Sequence, residues 1–286
     1  MLPQSFVLER PRDRSTSVIF SSPHSGSDYH WTFLQRTRLS ESQIRSSEDA
    51  FVDRLIDMAP SLGAPLLRAV APRAYIDLNR AANELDPALV DGVHKLAHNP
   101  RVASGLGVIP RVVSGARSIY SGKISRTEAE SRIERFWHPY HTQLATLIHE
   151  SHAAFGGATL IDMHSMPHEA VESMGRPGAV RPDVVIGDRF GASASAELVE
   201  RIEAIFVGAG FNVARNAPFA GAYIVQTYGR PARNQHAVQI EIDRSLYMNE
   251  ETITPNSCFD EFRAVMAGVV TQLTDLGRGA MPLAAE

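Results

Sequence analysis

The feature that most restricts the fold of this chain is an alternation. Short apolar runs that end abruptly in polar groups are separated by stretches with helical periodicity. The runs at 17–20 (SVIF), 64–70 (APLLRAV), 74–78 (AYIDL), 157–164 (GATLIDMH), 182–188 (PDVVIGD), 211–216 (FNVARN), 222–229 (AYIVQTYG) and 236–247 (HAVQIEIDRSLY) read as strands. Residues 47–63, about 126–155, 193–210 and 257–277 place apolar side chains at helical spacing, with Gly63, Gly208 and Gly210 as helix stops. Strands alternating with helices predict an α/β fold, a mixed sheet covered by helices on both faces. Residues 81–122, rich in Gly and Pro with weak periodicity, read as an irregular insertion in a single α/β domain spanning 1–286. The tail after the last helix reads as frayed.

Composition removes several classes. With 28 basic and 32 acidic residues the net charge is −4 and no long basic run exists, so a nucleic-acid partner is not expected. One cysteine, Cys258, excludes an internal disulfide and a multi-cysteine zinc site. No apolar stretch spans a bilayer, and the charged N-terminus lacks the apolar run of a signal peptide, so no membrane association and a cytoplasmic location are expected.

In open α/β sheets ligands bind beyond the carboxyl ends of the strands. His24 follows the strand at 17–20, His164 ends the strand at 157–164, and Glu241 lies within VQIEI. Two histidines and a carboxylate are the ligand set of a catalytic zinc that keeps its fourth position for water. Asp28, Glu48, Asp49 and Asp53 are all candidates for the carboxylate. Glu48 and Asp49 serve equally well as charges at a helix N-terminus. Arg73, Asp77, Asn79 and Arg80 form a second cluster, in which a guanidinium fork suits a substrate carboxylate. Asp162 is a candidate acceptor for the second ring nitrogen of His164. His141, beside Pro139, reads as a structural hydrogen-bonding group; His30, His94, His98, His149, His152 and His236 carry no assignment.

The motifs SSPHSG, RAYIDLNR, GVIPR, PYH, IDMHS, NAPFAGAYI and VQIEIDRSLYM occur here in the order found in the N-formylglutamate amidohydrolases. The chain resembles that family from about residue 17 to 248, and the family is in turn similar in fold to zinc carboxypeptidases and aspartoacylases (a phosphorylase/hydrolase-like sheet). The resemblance implies one zinc ion, or another divalent metal, held by His24, His164 and Asp49, with Glu48 in reserve. It implies Glu241 as general base and acid, Arg73 as the group polarising the scissile carbonyl, and Asn79 with Arg80 on the substrate carboxylate. Arg111, Tyr120, Asn216 and Gly221 fall in motifs expected to line the pocket. Ala222 departs from the family pattern, which has a second glycine there. The implied reaction is zinc-dependent hydrolysis of N-formyl-L-glutamate to formate and L-glutamate, in histidine degradation, on a small-molecule N-acyl amino acid. Three other readings stay open: a deacylase of another N-acyl amino acid, a binuclear phosphoesterase using Asp162-Met163-His164, and a non-catalytic binding protein on the same fold.

Overall fold

The structure, a computed structural model, describes residues 4–94, 99–172 and 181–278. His98 and the tail beyond Arg278 lie outside the described residues. Seven strands form one sheet: β1 (Phe6–Glu9), β2 (Val18–Ser22), β3 (Leu66–Ala69), β4 (Ala158–Met166), β5 (Val184–Gly187), β6 (Val213–Arg215) and β7 (Gln235–Asp243). Their order is β1-β3-β2-β4-β7-β5-β6. β3, β2, β4 and β7 run parallel, whereas β1 pairs with β3, and β5 with β7, in antiparallel fashion. The sheet is therefore mixed, as expected.

Successive side chains of a strand point to opposite faces, and the sequence obeys this closely. Val18, Phe20, Ile161, Met163, Val238, Ile240 and Ile242 pack on one face, under the helices Ala196–Gly208 and Phe259–Asp275. Ile19, Leu160 and Ala237 pack on the other, under a long helical segment running from Arg126 to Phe155. Pro139 does not break that segment. Residues Ile133–Trp137 widen into a π turn just before it, which absorbs the missing N–H donor.

Three expected elements differ. AYIDL is a turn, held by Tyr75 N and Ile76 N donating to Pro72 O. AYIVQTYG, rich in β-branched and aromatic residues, forms the short helix Tyr223–Tyr228, because Asn79 Oδ1 accepts from Ile224 N at 2.8 Å and caps its first turn. The stretch 47–63 is two short pieces, Val52–Leu55 and Ala59–Leu62, started by Phe51 at φ +67° and stopped by Gly63 at φ +95°. Strand β1, absent from the sequence reading, is an edge strand that exists through its pairing with β3. Among the described residues, the irregular insertion carries the turn-length helix Pro100–Ala103 and a two-residue hairpin, Val112–Val113 with Arg117–Ser118, joined by the 3-10 turn Ser114–Ala116. Among the described residues no helix is long and apolar enough to cross a membrane.

Candidate active site

On the face covered by the long helical segment, the carboxyl ends of the central strands turn polar in register. Ser21, Asp162 and Gln239 face one another across β2, β4 and β7, and His164 and Glu241 are the next register pair along. All five are buried. Burying polar groups is tolerable only when they have partners, and here every partner helps to aim a neighbour.

His24 and His164 meet edge to face, their ring centroids 4.8 Å apart. His164 Nδ1 lies 2.9 Å from Asp49 Oδ2, and His24 Nδ1 lies 3.4 Å from the same oxygen. His24 Nδ1 is buried and makes no hydrogen bond. The far nitrogens are both held: His24 Nε2 donates to Asp77 Oδ1 at 2.7 Å, and His164 Nε2 donates to Asp162 Oδ2 at 2.9 Å. Asp162 in turn accepts from the Ser21 hydroxyl. A proton fixed on each Nε2 leaves the lone pair on Nδ1, facing Asp49. The other oxygen of Asp49 accepts from Arg244 Nη2 at 3.0 Å, and Arg244 is anchored on Ser165 Oγ and Ser46 O.

Two imidazole lone pairs and one carboxylate oxygen thus converge within 4.8 Å of one another, a group that could hold a metal ion. The orphaned His24 nitrogen and the carboxylate behind each ring fit a divalent cation. Glu48 is not part of this group. It turns to Arg45, whose Nε donates to it at 3.1 Å. The electrostatics agree with the geometry. Burial opposes ionisation of Asp49, but the close contact of His164 and the positive charge available on His164 and His24 hold it well below the usual carboxylate range. Burial raises the affinity of Glu241 for its proton, Asp49 adds to this, and His164 and Arg73 oppose it.

These groups open into a cavity of about 460 Å³. Of the residues singled out in the sequence, His24, His164, Glu241, Arg73, Asn79, Arg80 and Gly221 line it, and Asp49 lies directly behind the two histidines. Arg73 Nε donates to Asp77 Oδ2 at 3.1 Å, so Asp77 joins the arginine to His24. Asn79 is committed internally, capping Ile224 through Oδ1 while Nδ2 lies 3.2 Å from His164 Nε2 and 3.4 Å from Gln239 Oε1, to which it donates. The remaining three lie off the cavity wall. Arg111 pairs with Asp86 at 2.8 Å, the Tyr120 hydroxyl accepts from Arg132 Nη1 at 2.7 Å, and Asn216 ties down Asp188 and the Phe190 amide. His141 donates from Nε2 to Leu78 O and faces the Tyr228 hydroxyl with Nδ1, a structural role.

Gln239 was not singled out by sequence, although it lies two residues before Glu241 and therefore on the same face. Its Nε2 donates to Glu241 Oε1 at 2.7 Å, and its Oε1 accepts from Ala222 N at 3.0 Å. The 216–222 loop is thereby fastened to the end of β7 that carries the glutamate.

 The same loop lies against β5 so closely that a Cβ on Gly187 would meet Gly221 N at 2.7 Å and Ala220 C at 2.8 Å. A side chain there would displace the cavity wall. The second pair of ligands that a binuclear centre needs is absent among the described residues. Asp162 stands behind His164, and Asn234 and His236 lie at the opposite end of β7.

A mixed α/β sheet with two histidines, three aspartates and a buried glutamate gathered at the ends of its central strands defines an α/β protein with a candidate metal site. Comparison with known proteins narrows this. The N-formylglutamate amidohydrolase family model matches residues 16–248. The N-formylglutamate deformylase of Pseudomonas aeruginosa is 30% identical over 250 residues, 86% of each chain, and that of Pseudomonas putida is 29% identical over 243 residues, 82% of each. The crystal structure of N-formylglutamate amidohydrolase from Ralstonia eutropha superposes with a TM-score of 0.89 at 33% identity, covering 97% of this chain and 99% of that one. The chain belongs to the N-formylglutamate amidohydrolase family.

Proposed function

We propose that this protein hydrolyses the formyl amide of N-formyl-L-glutamate to formate and L-glutamate, as a step of histidine degradation, with one Zn²⁺ held by His24, Asp49 and His164. The observation that carries the reading is the convergence of the two Nδ1 atoms and Asp49 Oδ2 next to a buried glutamate, in a cavity lined by arginines. When bound, a zinc ion would polarise the amide carbonyl and lower the pKa of water.

The side chains divide the remaining work. Glu241, 7% exposed and raised in pKa, accepts the proton of the attacking water and delivers it to the departing nitrogen. Gln239 fixes the carboxylate for both transfers by donating to Oε1. Arg73, held at Nε by Asp77, offers its Nη groups to the oxygen that gains charge as the carbonyl is attacked. Arg80 holds the substrate's α-carboxylate; its Nε is spent on Leu106 O, which leaves the two Nη nitrogens for a bidentate contact. The test is formate release from N-formyl-L-glutamate by the purified chain, before and after chelation and after zinc is restored. Release that a chelator abolishes and zinc restores supports the reading; none from a zinc-loaded sample refutes it.

A further inference from the structure

The cavity carries more positive charge than formyl transfer to water requires. Arg73, Arg80 and Arg101 all line it. Arg73 has its counter-charge in Asp77. Arg80 is 5% exposed, and no carboxylate lies within ion-pair distance of it among the described residues. Burial lowers its affinity for its proton most; Asp77 opposes this, and the charges of Arg73 and Arg101 add to it. Arg80 thus shares the cavity with two other guanidinium groups that act against its charge.

Arg101 comes from the insertion, on the turn-length helix Pro100–Ala103. It too has no carboxylate within ion-pair distance among the described residues, and the adjoining residues 95–98, Lys-Leu-Ala-His, contain none. Its backbone is well fixed. Asn99 Oδ1 accepts from Arg101 N at 3.0 Å, and Leu106 N donates to Arg101 O at 2.8 Å. Leu106 O is also the acceptor for Arg80 Nε, so one residue ties the two arginines together. Behind the turn, Arg111 bridges Asp86 and Ala103 O. An arginine of a pocket motif that misses the cavity therefore braces the turn that presents Arg101. Neighbouring cations without counter-ions repel one another, an arrangement that an anionic ligand relieves.

We propose that Arg101 is a specificity-determining residue: it binds a second carboxylate, on the substrate side chain, while Arg80 holds the α-carboxylate. The cavity then selects N-formyl derivatives of dicarboxylic amino acids over neutral ones. This rests on the hydrolytic reading given above, and it adds a group that none of the sequence motifs contains.

The test compares N-formyl-L-glutamate with its neutral isostere N-formyl-L-glutamine, using the zinc-loaded wild type, Arg101→Gln and Arg101→Lys. Arg101 is exposed, so these variants are expected to fold. A charge-assisted contact at the rim predicts a wild-type preference for the glutamate compound of roughly 10- to 100-fold in kcat/KM, decreasing with added salt. Arg101→Gln should lose most of that preference through KM rather than kcat, and Arg101→Lys should recover part of it. A preference that survives in Arg101→Gln, or a wild type that treats both compounds alike, overturns the proposal. If the wild type hydrolyses neither compound, the hydrolytic reading fails separately. Calorimetric binding of L-glutamate and L-glutamine then decides for Arg101: weaker glutamate binding in Arg101→Gln supports it, and unchanged affinity overturns it.

Discussion

Asp162→Asn isolates the role of the carboxylate behind His164. In the native chain Asp162 is fully buried, takes the Ser21 hydroxyl on one oxygen and His164 Nε2–H on the other, the latter at 2.9 Å. Asparagine has nearly the same shape and two possible orientations. With its amide nitrogen toward His164, two donors face each other, and relief requires moving the imidazole proton to Nδ1, the atom that faces Asp49. With its amide oxygen toward His164, the nitrogen faces the Ser21 hydroxyl, which can rotate and accept. The second orientation wins, so the tautomer survives and only the charge is lost. Replacing a hydrogen bond to a charged acceptor by a neutral one costs about 1–2 kcal/mol, and loss of such a ligand-orienting partner weakens metal binding by roughly 10- to 100-fold. Competition between the protein and a chromophoric chelator should show zinc affinity reduced by that factor. Formate release should recover most of its wild-type rate in excess zinc, because Glu241 and Arg73 are untouched. Zinc affinity within about threefold of wild type, in a variant whose thermal melt shows a folded chain, would refute the argument that the Asp162 charge behind His164 strengthens metal binding.

Two further outcomes follow from other parts of the site. Glu241→Gln keeps its shape and its neighbour Gln239 but cannot take a proton; stoichiometric zinc should persist while kcat falls by roughly 10²- to 10⁴-fold, and a near-wild-type rate would remove Glu241 as the base. His141 is pushed down to about 4, chiefly by burial. Its folded pKa lies below the unfolded value of about 6.5, so the unfolded chain binds more protons between those limits and stability falls as pH drops through that window. His141→Gln, which can still donate to Leu78 O, should flatten the acid side of a denaturation-midpoint profile, by an amount on the order of 3 kcal/mol across the window; an unchanged slope would assign the acid sensitivity elsewhere.

The chemistry of this protein was more legible in its sequence than the structure around it. His24, His164 and Glu241 stood out because each breaks an apolar pattern, and such breaks mark strand ends whatever the exact boundaries; Asp49 follows no apolar run and was separated from Glu48 only by the family resemblance. The two nine-residue strands β4 and β7 were legible for the same reason. AYIVQTYG was not, because its helix depends on a cap from Asn79, 145 residues away. Nor was β1, whose pairing with β3 no local pattern announces. Asn79 and Arg111 were noticed for their motifs, yet their side chains turn inward to Ile224 and Asp86, partners that only the folded chain brings near. Arg101 was missed because it stands alone in a stretch without periodicity.

The convergence of the three ligand atoms has a temporal consequence. His164 and Asp49 are 115 residues apart, and the Ser21–Asp162 contact that steadies the site joins residues 141 apart. Contacts of such sequence separation form late, once the entropy of closing long loops has been offset by the assembled sheet. A chain emerging from the ribosome therefore has no such site to offer the metals it meets first. An ion held here would be chosen by the finished protein, and a preparation made in metal-poor medium should fold first and take up added zinc afterwards.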